Sequence, residues 1–111
     1  MADKHIITRD KFIELLNGPH QIHVIGRALV HLFNRQTDVE QRANNTRDWN
    51  EMGFTGVDGR SGCITAKYYL KHRTLLDWQI ERWMKPNKHG IPRIAKYWKQ
   101  IDEEARKKAN A

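Results

Sequence analysis

Apolar residues recur at spacings of three and four through most of this chain, the period of a helix face rather than of a strand. Phe12, Ile13, Leu15 and Leu16 predict a helix from about Arg9 to Leu16. Thr8 is placed to cap it, and Asn17-Gly18-Pro19 stops it. Ile22, Ile25, Leu29, Leu32, Phe33 and Gln36 mark one face of a second helix from about His20 to Gln36. Gly26 falls near this face, where a missing side chain would let another helix come close. Thr37-Asp38-Val39-Glu40 has the form of a capping box, predicting a short helix over 38–43 or a continuation of the second.

The stretch Asn44 to Ser61 is the least regular, with Asn44, Asn45, Asn50, Gly53, Gly56 and Gly59. Loops of this length in a compact domain are usually functional or poorly ordered. Trp49, Met52 and Phe54 are its expected anchors. A helix over 62–72 follows, with Cys63, Ala66 and Leu70 on one side and Ile64 and Tyr68 on another, so it should be central. Thr74-Leu75-Leu76-Asp77 opens a helix to about Lys85, with Leu76, Ile80, Trp83 and Met84 expected inward. Pro86 to Gly90 is a break. Pro92 then suits the first position of a last helix. That helix carries Ile94, Tyr97, Trp98, Ile101 and Ala105 on one face and runs to about Lys107, with 107–111 as an expected frayed tail. No segment alternates with period two. The reading is all-α: a compact single domain over 1–111, built of five to six short helices with an irregular Gly/Asn-rich loop.

Charge changes the picture. The 111 residues hold 20 Lys and Arg against 13 Asp and Glu, a net +7. Between Lys67 and Lys99 stand Lys67, Lys71, Arg73, Arg82, Lys85, Lys88, Arg93, Lys96 and Lys99, opposed only by Asp77 and Glu81. That segment therefore carries the whole net charge. Tyr68, Tyr69, Trp78, Trp83, Tyr97 and Trp98 are interleaved with it. Cations meet phosphates and rings stack on bases, so the mixture suits a polyanion. The alternative is that the charges solvate helix faces while the rings fill the core.

Trp78 is the sharpest single signal. It lies roughly 160° around its helix from the Leu76, Ile80 and Trp83 direction. It is either packed on another element or exposed for a partner, and packing is the expectation in a small helical domain. Gly59-Arg60-Ser61-Gly62 reads as a G-x-x-G turn leading into a helix, either a plain turn whose glycines serve conformation or a phosphate-binding one. Free backbone N–H groups at a helix start attract phosphate, and Arg60 adds charge. The KH fold of RNA-binding proteins uses such a loop, but it needs a sheet that this pattern does not supply.

Other chemistry finds little support. There are six histidines and one cysteine. His20 and His23 are three apart, but His23 and His31 point about 80° apart on an ideal helix. No second cysteine or carboxylate falls at ligand spacing, so no metal is expected. The histidines read as surface or capping residues. Cys63, on an apolar face, reads as a buried inert thiol. Nucleotide-binding, nucleophile-elbow and zinc-protease motifs are absent from the sequence. Asp102, Glu103 and Glu104 sit among lysines and read as a solvated face. No catalytic residue, no enzyme activity and no cofactor are therefore expected. A nuclease or other hydrolase would need an acid cluster the chain lacks. No run approaches the ~18 apolar residues of a membrane span, and no signal peptide is apparent at Met1 to His5. The expected setting is a reducing cytoplasm, with no membrane partner.

Residues 53–100 carry a further pattern: Gly53-Phe54-Thr55-Gly56-Val57-Asp58, Ala66-Lys67, Leu76 with Gln79, and Lys96-Tyr97 with Gln100. This resembles a small helical module of phage and mobile-element proteins, also an accessory segment of some bacterial helicase-like proteins. Its form is G-F-x-G-x-D, a helix, L-T-x-x-Q, a helix, and K-Y-x-x-Q. Here Leu76 stands where the threonine would be. The resemblance implies a DNA-transaction or host-takeover setting, in the host cytoplasm, and transfers no catalytic residue.

The expected function is nucleic-acid binding, DNA favoured over RNA and single-stranded or structured DNA favoured. The expected contacts are Arg60, Lys67, Lys71, Arg73, Arg82, Lys85, Lys88, Arg93, Lys96 and Lys99, with Trp78 as a stacking platform. The alternative is a protein-binding inhibitor or adaptor acting on a host enzyme.

Overall fold

The computed structural model describes residues 5–36 and 53–109. The expected 38–43 helix and the anchors Trp49 and Met52 lie outside the described residues. Among the described residues there are five α-helices and one 3₁₀ segment, and the fold is all-α. They are α1 (Arg9–Leu16), α2 (Gln21–Asn34), α3 (Gly59–His72), α4 (Asp77–Met84), a 3₁₀ turn (Arg93–Tyr97) and α5 (Trp98–Ala109). Thr8 caps α1 through its hydroxyl, which accepts the Lys11 N–H at 3.2 Å. The last helix extends two residues past the expected Lys107. Its first turn is a separate 3₁₀ segment begun by Pro92, which presents Ile94, Ala95 and Tyr97 to the core.

The helices α2 and α3 form the centre. Ile25, Ala28, Leu29, Leu32 and Phe33 of α2 meet Cys63, Ala66 and Tyr69 of α3 in one apolar cluster with Phe12, Leu16, Trp83, Ile94 and Ile101. Gly26 makes their approach possible. A β-carbon there would stand 2.2 Å from the Tyr69 ring, which is buried and cannot swing away. Replacing Gly26 by alanine gains helix propensity of about 0.5–1 kcal/mol but meets overpacking of about 1–3 kcal/mol. A net loss of about 1 kcal/mol is expected in denaturant unfolding.

Three corrections to the sequence reading concern burial and helix starts. First, α3 begins at Gly59, so Gly59-Arg60-Ser61-Gly62 is its opening turn and not a loop before it. Gly62 is there for packing, since a β-carbon would stand 2.5 Å from the Phe54 ring. Second, Leu76 is exposed, while Leu75 and Gln79 are buried. Leu76 occupies the N-cap of α4 in extended conformation. Gln79 reaches back and accepts the Leu76 N–H at 2.9 Å, which is half of a capping box. A leucine lacks the oxygen for the other half. Leu76→Thr should therefore raise stability by about 1 kcal/mol, read as a higher melting temperature.

Third, Asp102 is not on a solvated face but fully buried. Its Oδ1 accepts the N–H groups of Ile6 (2.7 Å) and Ile7 (2.8 Å), and its Oδ2 meets His5 Nδ1 at 2.6 Å and Arg106 Nε at 3.1 Å. Burial pushes its pKa up, but the Ile7, His5 and Ile6 hydrogen bonds and the Arg106 charge outweigh it and hold the carboxyl below its usual range. Asp102 thus ties the segment before α1 onto α5, where His5 also stands edge-on to Trp98 at 5.0 Å.

Candidate nucleic-acid interface

The loop over 53–58 is held by a buried polar set. Gln100 donates to the Gly53 carbonyl at 3.0 Å and accepts its N–H at 2.7 Å. The Phe54 ring sits between Trp83 and Tyr97, with centroids 6.1 and 6.0 Å away. Asp58 is fully buried at the foot of α3. Its carboxylate does not cap that helix. It accepts the Tyr97 hydroxyl at 2.6 Å and pairs with Arg93 at 2.6 Å and Lys96 at 2.7 Å. Burial raises its pKa, but the hydrogen bonds from Lys96, Tyr97 and Arg93 prevail and the carboxyl stays below its ordinary value. Tyr97 is pushed up by burial and by the Asp58 hydrogen bond. Gly53, Asp58, Lys96, Tyr97 and Gln100, all members of the sequence pattern above, thus hold one another.

This clamp places Val57 on the surface, 78% exposed, as a divider between two clefts. The first has a volume of about 350 Å³ and is lined by Val57, Arg60, Ser61, Ile64, Trp78 and Arg82. Arg60 and Ile64 are one turn apart on α3, and Trp78 and Arg82 are one turn apart on α4, so two helix faces meet here. Trp78 is 54% exposed, against the expectation that it packs. Its position off the apolar stripe is the reason: that stripe is already used by Gln79 and Trp83. Neither Arg60 nor Arg82 is paired with a carboxylate among the described residues, and no carboxylate lines the cleft.

The second cleft, about 400 Å³, is lined by Thr55, Val57, Lys85, Pro86, Asn87, Ile91, Pro92, Arg93 and Lys96. A tight turn builds its rim. Asn87 N–H donates to Ile91 O at 2.9 Å, Arg93 N–H donates to Lys85 O at 3.0 Å, and the Asn87 side chain accepts the N–H groups of His89 and Ile91. Lys85 and Arg93 are thereby fixed across from each other, with Lys88 exposed at the tip.

The predicted contact set divides. Arg60, Trp78 and Arg82 come together in the first cleft, and Lys85, Arg93 and Lys96 in the second. Of these, Arg93 and Lys96 already serve Asp58. Lys67 and Lys71 are exposed on the α3 face that carries Arg60 and Ile64, and the Lys67 ammonium lies 5.7 Å from the Phe33 ring. Lys99 stands over Trp98 at 5.9 Å and borders neither cleft. Arg73 lies at the other end of α3. The reading of single residues missed Val57 and Ile64 as surface groups; their apolar character hides them among core candidates.

Among the described residues no group of three His, Cys, Asp or Glu side chains is placed to hold a metal ion. Cys63 is buried, with the Gln36 amide 3.9 Å from its sulfur. No described helix is long and apolar enough to cross a membrane. No family model, curated protein or solved structure matches the chain.

Proposed function

We propose that this chain binds nucleic acid, single-stranded or structured DNA in particular, through the face formed by the two clefts either side of Val57. The observation that carries this reading is Trp78, a large ring more than half exposed between two arginines that have no carboxylate partner among the described residues. An indole can stack on any base, and Arg60 and Arg82 flank it where the sugar-phosphate chain would pass. Lys85 and Lys88 extend the positive surface beyond Val57, and Lys67 and Lys71 extend it along α3. The role is binding rather than catalysis. The resemblance of residues 53–100 to a phage and mobile-element module supports a role in such a setting, in the host cytoplasm.

A second reading, docking on a host protein, is favoured by Val57 and Ile64. Exposed apolar groups beside a tryptophan and arginines also fit the centre of a protein interface. Titrating labelled single- and double-stranded DNA at two salt concentrations separates the two. The nucleic-acid reading predicts measurable binding at low salt that weakens as salt rises. Absence of DNA binding at low salt, with tight salt-insensitive binding to a host protein, would favour docking.

A further inference from the structure

A second concentration of positive charge lies away from the Trp78 face. Arg27 and His31 are one turn apart on α2. Arg73 follows the last residue of α3, and Lys108 is in the last turn of α5. These four side chains line one cleft of about 220 Å³ with Val30 and Tyr69. Among the described residues no carboxylate lines it. Arg27, Arg73 and Lys108 have no ion-pair partner among the described residues. Arg73 and Arg60 are separated by the length of α3, roughly 20 Å at 1.5 Å per residue.

Three elements therefore deliver like charges to one small space, where each raises the potential felt by the others. Arg73 does so from a left-handed backbone (φ 56°, ψ 24°), a conformation that usually selects glycine at a helix end. Its N–H donates to Tyr69 O at 2.7 Å and its guanidinium lies over the Tyr69 ring at 5.9 Å. Tyr69 is itself fixed by its hydroxyl, 2.9 Å from His23 Nδ1. The cleft thus has a held wall and an excess of positive charge.

We infer that this cleft is a second, separate anion site, which takes a phosphoryl group between Arg27, Arg73 and Lys108 with His31 as a fourth donor. The site stands whether or not the Trp78 face binds DNA. The group can come from a free phosphorylated compound or from a nucleic-acid backbone, since both present the same oxygens. His31 makes the site sensitive to pH. Burial lowers its pKa most, then the Lys108 charge; Glu104 opposes, and Arg27 and Arg35 lower it further. Arg35 is engaged with Glu103 at 3.1 Å, and Glu104 lies 3.8 Å from Lys107. From α3, Arg73 and Tyr69 face the same cleft. A bound dianion offsets the cations and favours protonated His31, so by linkage it binds more tightly as pH falls.

Sulfate is the probe, because its charge stays constant where that of phosphate changes. Its binding to the whole protein is followed by NMR at constant ionic strength, from about pH 7.5 down to about pH 5, a range that reaches well below the ordinary histidine value because His31 is shifted down. Shifts are expected at His31, Arg27 and Lys108, with affinity several-fold higher at the lower pH. The double variant Arg27→Gln, Lys108→Gln should lose about tenfold in affinity, since two charge-assisted contacts go. His31→Asn should keep binding but lose its pH dependence. An equal sulfate response in wild type and double variant would overturn the site, as would shifts spread evenly over the surface. A labelled single strand is titrated in parallel. If the double variant also weakens the strand, the phosphoryl group is a backbone phosphate; if only sulfate binding falls, it is a free compound. Either result supports the site, and the sulfate arm is independent of whether the Trp78 face binds DNA.

Discussion

Asp58→Ala should lower folding stability by about 3 kcal/mol, the low end for breaking a buried ion pair. The low end applies because Arg93 and Lys96 are 30% and 44% exposed and can turn to water. The buried Tyr97 hydroxyl loses its carboxylate acceptor and keeps only Thr55, whose N–H and hydroxyl are 3.1 and 3.2 Å away. The same carboxylate sets an acid limit. Its folded pKa is depressed, so its contribution is full above the ordinary value of 3.8 and fades as pH falls through the lower folded value. Asp102 acts in the same direction. Urea unfolding below about pH 4 should therefore show a steep loss of stability in wild type, and a shallower one in Asp58→Asn, since one depressed carboxyl is gone. The substitution also frees Arg93 and Lys96. If the second cleft meets phosphate, the variant that folds less well should bind DNA more tightly and with a steeper salt dependence.

Trp78→Ala should weaken single-stranded DNA binding by about 1–3 kcal/mol, the loss of one stacked base. The salt dependence should hardly change, because no charge is removed. Stability should also hold, since the ring is more than half exposed and the neighbouring Trp83 fills the core. A Phe replacement should recover part of the affinity, because it restores a stacking face. Together the two variants separate the roles of adjacent elements: Asp58 builds the face and Trp78 uses it.

Much of the fold is legible in the sequence where local signals agree. Thr8, the apolar spacing and Asn17-Gly18 bound α1 at Arg9 and Leu16, as seen. The α2 stripe and the role of Gly26 are equally plain. Legibility fails where a side chain acts over a long separation. Asp58 sits where an aspartate would cap its own helix, yet it turns to residues 35–39 positions later. Asp102 looks solvated among Glu103, Glu104 and the lysines. Its one signal is register, for it lies one turn after Trp98, beside Ile101, on the inner side of α5. Trp78 is the converse case. Its position off the stripe is visible in the sequence, but only the packed structure shows that no other element covers it. The charge of 67–99 is legible as a total, whereas its division among two clefts, the α3 face and the Arg73 site is a property of the fold.

The central claim is that phosphates lie beside Trp78 on Arg60 and Arg82. The most direct measurement is the slope of log K against log salt for a labelled single strand, in wild type and in the double variant Arg60→Gln, Arg82→Gln. Each phosphate neutralised on a single strand contributes about −0.7 to the slope. Removing two contacts should flatten it by about 1.4 and weaken binding alike for all sequences. An unchanged slope in a double variant that melts like wild type would contradict the account, because the two arginines would then touch no phosphate.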